Sequence, residues 1–228
     1  MVGAASMPAS RSPSSAVNLT ALMERTTGRP EVIVGLIDGS VAATHPDLAT
    51  ESIQILSQAS DRAQPQANGA ALTHGTFVAG ILAARRGTAA PAICPGCTFV
   101  VRSIFLQPSA ANADAPSASP QELADAVIDC VDAGARILNL SLSLATPSPN
   151  KEPKLAQALD YAAARGTLVV AAAGNQGTVG GSAITRHPWV IPVVACDLAG
   201  RPLAVSNLGS SIARRGLMAP ERRHRRSR

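Results

Sequence analysis

Short apolar segments alternate along this chain with longer segments in which apolar residues recur every three or four positions. The short segments are rich in Val, Ile and Leu, which is typical of strands covered on both faces. The longer ones predict helices over residues 73–86, 120–133 and 154–165. This alternation predicts an α/β fold, a doubly wound, mostly parallel sheet with helices on both faces. The strands are predicted at VIVGLI (32–37), residues 98–105, RILNLSL (136–142), TLVVAAA (167–173) and VIPVVA (190–195).

The middle helix has the clearest start signal in the chain. Ser119 is a good cap, Pro120 suits the first helical position, and Glu122 is placed to complete a capping box. Gly134 is the expected end of this helix. One apolar face follows from the spacing of Leu123, Ala126, Val127, Cys130 and Val131.

Composition divides the chain into three parts. Residues 1–29 are rich in Ser, Pro, Ala and Thr and predict a flexible leader with one short helical turn near residues 21–25. Residues 30–220 carry the alternating segments and predict one folded domain, and residues 221–228 form a basic tail. Because no apolar run reaches the roughly 20 residues of a membrane-spanning helix, we expect no membrane partner. The lack of an apolar secretory core predicts a cytoplasmic protein, or a secreted one if an upstream segment is missing.

The formal net charge of +5 lies at the end of the chain. Residues 222–228 read RRHRRSR and hold five Arg and no acid, so residues 1–221 are neutral at pH 7. Attraction of such a tail to nucleic acid or an anionic membrane by charge alone is one alternative. The chain has only Trp 1, Tyr 1 and Phe 3, which counts against a stacking surface for single-stranded nucleic acid. We therefore expect a solvated tail and no nucleic-acid partner, and the sequence leaves the oligomeric state open.

The four cysteines do not predict a disulfide framework or a metal centre. Cys94 and Cys97 form a C-x-x-C, but a structural zinc site needs four ligands and no second close pair exists. Cys130 lies on a predicted apolar helix face and Cys196 follows a predicted buried strand, so both are expected in the core. No cofactor is expected, and no calcium-binding loop can be recognised.

Three polar side chains follow predicted strands or open a predicted helix. Asp38 comes directly after the first strand, His74 lies at the start of a helix, and Asn175 follows TLVVAAA between glycines. In doubly wound sheets, catalytic groups gather beyond the carboxyl ends of the strands. A helix N-terminus disfavours a charged imidazole, so we expect a lowered pKa for His74, which suits a general base. Asn175 has the chemistry of a donor to a developing oxyanion.

Several segments resemble, in order, those of the subtilisin-like serine peptidases (subtilases). VIVGLIDGSVAATHPDL (32–48) resembles the Asp motif of that family, and HGTFVAGILAA (74–84) resembles its His motif. ILNLSLSL (137–144) is similar to the strand that lines the substrate cleft. GTLVVAAAGNQG (166–177) is similar to the oxyanion Asn motif, and residues 187–210 resemble the segment after it, with a turn at Ser206 and Asn207. The Cys-containing loop after the His motif also resembles subtilases that mature ribosomal peptides such as cyanobactins.

The resemblance implies a subtilisin-like fold and a role for each matching residue. Asp38, His74 and Asn175 are implied as catalytic residues: Asp38 orients the imidazole, His74 acts as the general base, and Asn175 donates to the oxyanion. The implied partner is a peptide or protein substrate. It pairs as an added strand with the backbone of a cleft segment formed by Ser141, Leu142 and Ser143. Most subtilases have Gly where Ser143 stands, so a narrower specificity pocket is expected.

The nucleophile of that family is missing from this sequence. Ala219 and Pro220 resemble its Ala-Pro, but Glu221 and the basic tail follow, and no Gly-Thr-Ser occurs anywhere. The expected function is therefore a subtilisin-like serine endopeptidase domain that lacks its nucleophile segment and is inactive alone. A peptide-binding pseudoprotease or a truncated remnant is the alternative. Arg outnumbers Lys 18 to 2, which is typical of GC-rich coding DNA, and a shifted or shortened reading frame after Pro220 is our hypothesis for the loss.

Overall fold

The computed structural model describes residues 13–48, 52–56, 69–105, 118–142 and 152–221. Seven helices and seven strands lie within these ranges. The strands are β1 (Ile33–Asp38), β2 (Ile53–Ile55), β3 (Thr98–Ser103), β4 (Ile137–Leu140), β5 (Leu168–Ala172), β6 (Val190–Cys196) and β7 (Leu217–Pro220). The helices are α1 (Pro13–Ala16), α2 (Leu19–Arg25), α3 (Ala70–Ala83), α4 (Pro120–Asp132), α5 (Pro153–Ala164), α6 (Ala183–Arg186) and α7 (Ser210–Arg215).

The strands form one sheet in the order β2-β3-β1-β4-β5-β6-β7. Every neighbouring pair runs parallel. The chain enters the sheet at β1, in the interior of the strand order. It adds β2 and β3 on one side of β1 and then crosses to β4 on the other side. The point where the order reverses is therefore at β1, and ligands of doubly wound sheets bind outside the carboxyl ends of strands at such a point.

Alternate residues of the central strands supply two apolar layers. Val34 and Leu36 of β1 face a layer that includes Ala79 and Ala83 of α3. Ile37 faces the opposite layer, which includes Leu123 and Val127 of α4 and Leu155 and Leu159 of α5. Because side chains alternate across a strand, β1 is buried on both faces, as its continuous apolar sequence predicted.

The α4 prediction is confirmed in detail. Ser119 Oγ accepts from the Glu122 amide at 3.1 Å, and Glu122 Oε2 accepts from the Ser119 amide at 2.7 Å, which completes the capping box. The predicted face is buried: Leu123, Ala126, Val127, Cys130 and Val131 are each no more than 5% exposed.

Several elements that are short or largely exposed were not predicted from the sequence. β2 has three residues, β7 has four with three exposed, and α1, α6 and α7 have four to six residues each. The predicted start of α3 at residue 73 was wrong, because the helix begins at Ala70. Its cap is Gly69, which has no side chain to mark a start.

The described part of the leader contains α1 and α2, the second lying where a helical turn was predicted. The guanidinium of Arg86 donates to the carbonyl oxygens of Met23 and Thr26, and to that of Ile93 at 3.4 Å. Residues 1–12 and the basic residues 222–228 lie outside the described ranges. Within those ranges, no helix combines the length and the apolar character that a membrane crossing requires.

Candidate active site

The carboxyl ends of three adjacent central strands bring the predicted site residues to one edge of the sheet. Ile37 pairs with Leu140, and Leu140 pairs with Ala171, so β1, β4 and β5 end at the same level. Asp38 lies one residue beyond that level on β1, and the segment that contains Asn175 leaves β5. The sequence predicted Asp38 and Asn175 at this edge, because each follows a predicted strand.

Asp38 and His74 are in direct contact. Their Oδ1 and Nδ1 atoms are 2.7 Å apart, and Oδ1 also accepts from the Gly39 amide at 2.5 Å. Because an ionised carboxylate only accepts hydrogen bonds, Nδ1 of His74 carries the proton, and in the neutral imidazole Nε2 is the acceptor nitrogen. The Asp38 side chain is 1% exposed, whereas that of His74 is 53% exposed. The pair thus joins a buried anion to an accessible imidazole.

The second carboxylate oxygen of Asp38, Oδ2, also favours a positive charge on His74. Oδ2 is buried and has no hydrogen-bond partner among the described residues. A buried anion with few donors is costly, and a positive charge nearby reduces that cost. The protonated imidazole of His74 is such a charge.

The expected lowering of the His74 pKa was wrong. The hydrogen bond to Asp38 raises the pKa of His74, partial burial opposes this rise, and the negative charge of Asp38 adds to it. Since α3 begins at Ala70, His74 lies in the second helical turn. The electropositive influence of a helix N-terminus falls off within the first turn, so the carboxylate dominates.

Two glycines set the distance between Asp38 and His74. A Cβ on Gly75 would lie 2.5 Å from the carbonyl oxygens of Gly39 and Ser40, and a Cβ on Gly39 would lie 2.0 Å from that of Ala71. Helix α3 therefore rests directly on the backbone that follows β1. This role was not predicted from the sequence, although a Gly directly after both the Asp and the His is its signal.

The structure describes three of the four other predicted site residues. Ser141 and Leu142 follow β4, where Asn139 Nδ2 donates to Ser141 Oγ at 2.7 Å and Leu142 is buried in the core. Ser143 lies outside the described residues. Asn175 is exposed in the segment after β5. The residues on either side of it, Gly174 and Gln176, are hydrogen-bonded to Asn207, a contact that the sequence did not predict.

The profile of the Subtilase family matches residues 29–221, which is most of the chain. The chain belongs to the subtilase family. It is 32% identical over 188 residues to a thermophilic serine proteinase of Bacillus sp. (strain AK1), covering 81% of this chain and 43% of that protein. It is 30% identical over 193 residues to subtilisin DY of Bacillus licheniformis, covering 83% of this chain and 64% of that protein. This subtilase chain thus spans about half the length of these curated relatives.

Solved structures agree with the subtilase assignment. A single-substitution variant of the protease domain of PatA superposes with a TM-score of 0.75 at 30% identity, covering 85% of this chain and 68% of that one. The prenylagaramide maturation protease PagA gives a TM-score of 0.75 at 27% identity, covering 89% and 67%. The predicted subtilisin-like fold and the likeness to maturation subtilases are both confirmed.

The described serines of this subtilase near the sheet edge have structural partners. The Oγ atoms of Ser40 and Ser103 are 3.1 Å apart, and Ser206 Oγ donates to the carbonyl oxygen of Ala195 in β6 at 3.1 Å. Ser206 is 4% exposed and belongs to the predicted turn. Ser227 lies outside the described ranges.

The cysteines of this subtilase are free thiols. Burial, together with the neighbouring Cys97, raises the pKa of Cys94 to about 12, and burial raises that of Cys130 to about 12. Cys130 and Cys196 lie in the core, as predicted. Among the residues with described placement, no group of three or more His, Cys, Asp or Glu side chains is arranged to hold a metal ion.

Proposed function

We propose that this subtilase domain provides the acid–base part of a serine endopeptidase that acts on extended peptides. Asp38 positions the imidazole, His74 is the general base, and Asn175 is a donor to the oxyanion. The observation that carries the proposal is the 2.7 Å contact between a buried Asp38 carboxylate and a half-exposed His74. A base held by a buried orienting group is the defining relation of a serine-peptidase triad.

The geometry supports a specific path for the proton. With Nδ1–H of His74 donating to Asp38, Nε2 accepts the proton of a serine hydroxyl as its oxygen attacks the peptide carbonyl. The imidazolium that forms is stabilised by Asp38, in keeping with the raised pKa of His74. It then gives its proton to the leaving amine. Asn175 stabilises the tetrahedral oxyanion as a side-chain donor.

The substrate is a peptide in extended conformation. Ser141 and Leu142 continue from β4 at the edge where Asp38 lies, and with Ser143 they offer backbone groups for strand addition. The solved structures similar to this chain include a prenylagaramide maturation protease. That protease is 27% identical to this chain. We therefore propose precursor peptides as the substrate class.

No Gly-Thr-Ser occurs in the 228 residues of this sequence. For the endopeptidase candidate, the nucleophile must therefore come from outside these residues. The same fact favours the second candidate, a pseudoprotease that binds peptides without cleaving them. Both candidates use the same cleft, and they differ in whether a serine ever reaches His74 Nε2.

Covalent labelling tests the missing nucleophile directly. The purified chain is treated with a serine-directed fluorophosphonate, and the expected result is no adduct by intact-mass spectrometry, with subtilisin as the positive control. Stoichiometric labelling of any serine would contradict the proposal.

Sequencing the coding DNA through and beyond the codons for Met218 to Arg228, in all three frames, separates the two candidates. A Gly-Thr-Ser-x-Ala-x-Pro in another frame supports the endopeptidase. A confirmed stop without that motif, together with peptide binding by calorimetry, supports the pseudoprotease.

A further inference from the structure

We propose that Asn207 is the positioning residue of the oxyanion loop, defined as residues 174–178. Through this loop it fixes the direction of the Asn175 side chain. The functional meaning of the inference rests on the proposed role of Asn175, but the structural claim is independent of it. Contacts between two segments about thirty residues apart in sequence support the proposal.

Both the oxygen and the nitrogen of the Asn207 side-chain amide bond to the oxyanion loop. Its Oδ1 atom accepts from the amides of Gln176 and Thr178 and from the Thr178 hydroxyl, each at 3.1 Å. Its Nδ2 atom donates to Gln176 Oε1 at 2.6 Å. One planar group therefore fixes the residue after Asn175 through both its backbone and its side chain.

Backbone hydrogen bonds hold the two segments in register. The Asn207 amide donates to the carbonyl oxygen of Gly174 at 2.9 Å, and the Leu208 amide donates to that of Thr178 at 3.0 Å. The Gly177 amide donates to the carbonyl oxygen of Val205 at 2.8 Å. Asn175 thus lies in a loop whose two flanks are both held by the segment around Asn207.

Gly174 shows how closely Asn207 approaches the loop. It has φ +109°, a conformation that side chains rarely adopt, and a Cβ there would lie 2.3 Å from Asn207 Nδ2. The Gly before Asn175 is therefore required both by its own backbone and by the side chain of Asn207.

Asn207 itself is anchored to the sheet. Its neighbour Ser206 donates to the carbonyl oxygen of Ala195, and the Leu203 amide donates to the same oxygen at 2.9 Å. These bonds to β6 hold the backbone next to Asn207 in place. Asn207 in turn restrains the oxyanion loop, which is largely exposed. A donor held before the reaction begins is more effective than one that must be ordered during it.

The test uses the full chain labelled with ¹⁵N. Asn207→Leu has nearly the same size but neither accepts nor donates, whereas Asn207→Asp keeps the oxygen that accepts from Gln176 and Thr178. For Asn207→Leu we expect faster hydrogen exchange of the Gln176 and Thr178 amides, by on the order of tenfold or more. We also expect a shift or broadening of the Asn175 side-chain NH₂ signals. Asn207→Asp is expected to restore both towards wild type.

Gln176→Ala is the second variant. It removes the acceptor for Asn207 Nδ2 and leaves the bonds to Asn207 Oδ1, so a smaller change of the Asn175 signals in the same direction is expected. Amides of β1 serve as the internal control for global opening. Unchanged Asn175 signals in Asn207→Leu, equal changes throughout β1, or an Asp variant that behaves like Leu would each overturn the inference.

Peptide binding by the wild-type chain is measured in parallel. If the Asn175 signals respond as expected but no peptide binds, the positioning role stands and the proposed function fails. If peptide binds and the Asn175 signals do not respond, the positioning role fails and the proposed function stands.

Discussion

At the scale of single residues, the buried Asp38 carboxylate decides the tautomer and the pKa of the exposed His74 imidazole. The buried carboxylate cannot exchange its protein partners for water, so it holds the accessible imidazole in one tautomer and raises its pKa. The sequence predicted that these two residues lie near each other, from their places after a strand and at a helix start. The predicted sign of the His74 pKa change was wrong, because that sign depends on a contact across 36 positions of sequence.

Replacing Asp38 by Asn is expected to lower the pKa of His74, since the hydrogen-bonded negative charge is the largest cause of its rise. The measurement is an NMR titration of the His74 ring protons between pH 4 and pH 9. Asp197→Asn is the matched control, because Asp197 pairs with Arg201 outside this site. The same His74 pKa in wild type and Asp38→Asn would show that the contact does not govern it.

The same substitution changes how stability depends on pH. A folded-state pKa raised above the unfolded value adds stability that is fully present below the unfolded pKa and is lost as pH rises through the folded pKa. In wild type, the His74 contribution to the free energy of unfolding therefore declines across that window. Asp38→Asn is expected to flatten that part of the profile, as measured by urea denaturation at a series of pH values.

At the scale of elements, local signals predicted those helices and strands whose ends are marked in the sequence. Helix α4 has its cap, its Pro and its capping-box Glu within four residues, and both its start and its buried face were predicted. Helix α3 has only Gly69 at its cap, so its first turn was missed. The role of Asn207 was missed for a different reason, since it arises only when the segments after β5 and β6 meet.

The capping box of α4 predicts a measurable loss of stability. Ser119→Ala removes the acceptor for the Glu122 amide and is expected to lower the free energy of unfolding by about 1 kcal/mol. Urea denaturation followed by circular dichroism measures the difference. Ser119→Asp, which restores an acceptor at the cap, is the control, and an Ala variant as stable as wild type would contradict the assigned role.

At the scale of the whole molecule, the described part of the sheet ends in a strand with apolar side chains on its surface. Leu217 and Met218 of β7 are 58% and 52% exposed, and β7 pairs with β6 alone among the described strands. Exposed apolar edge strands promote association between chains. The sequence did not reveal this edge, because four mostly exposed residues give no periodic pattern.

Leu217→Lys is expected to reduce self-association of this chain, since a charged side chain at a sheet edge opposes pairing with another edge. Static light scattering across a concentration series measures the effect, with Leu217→Met as the apolar control. Because the site is exposed, the free energy of unfolding is expected to change by no more than about 0.5 kcal/mol. A Lys variant that associates as strongly as wild type would place the contact elsewhere.

The interior position of β1 has a consequence for the order in which the domain is made. Val34 pairs with Phe99 on one side and with Ile137 on the other, so the second neighbour is translated about a hundred residues after β1. At roughly 5–20 residues per second, the nascent strand waits about 5–20 seconds with that edge open. The carboxylate that contacts His74 is encoded early in the chain, but its strand gains its second neighbour only later in synthesis. A nascent chain stalled before β4 would therefore carry both Asp38 and His74 while β1 still lacks its second neighbouring strand.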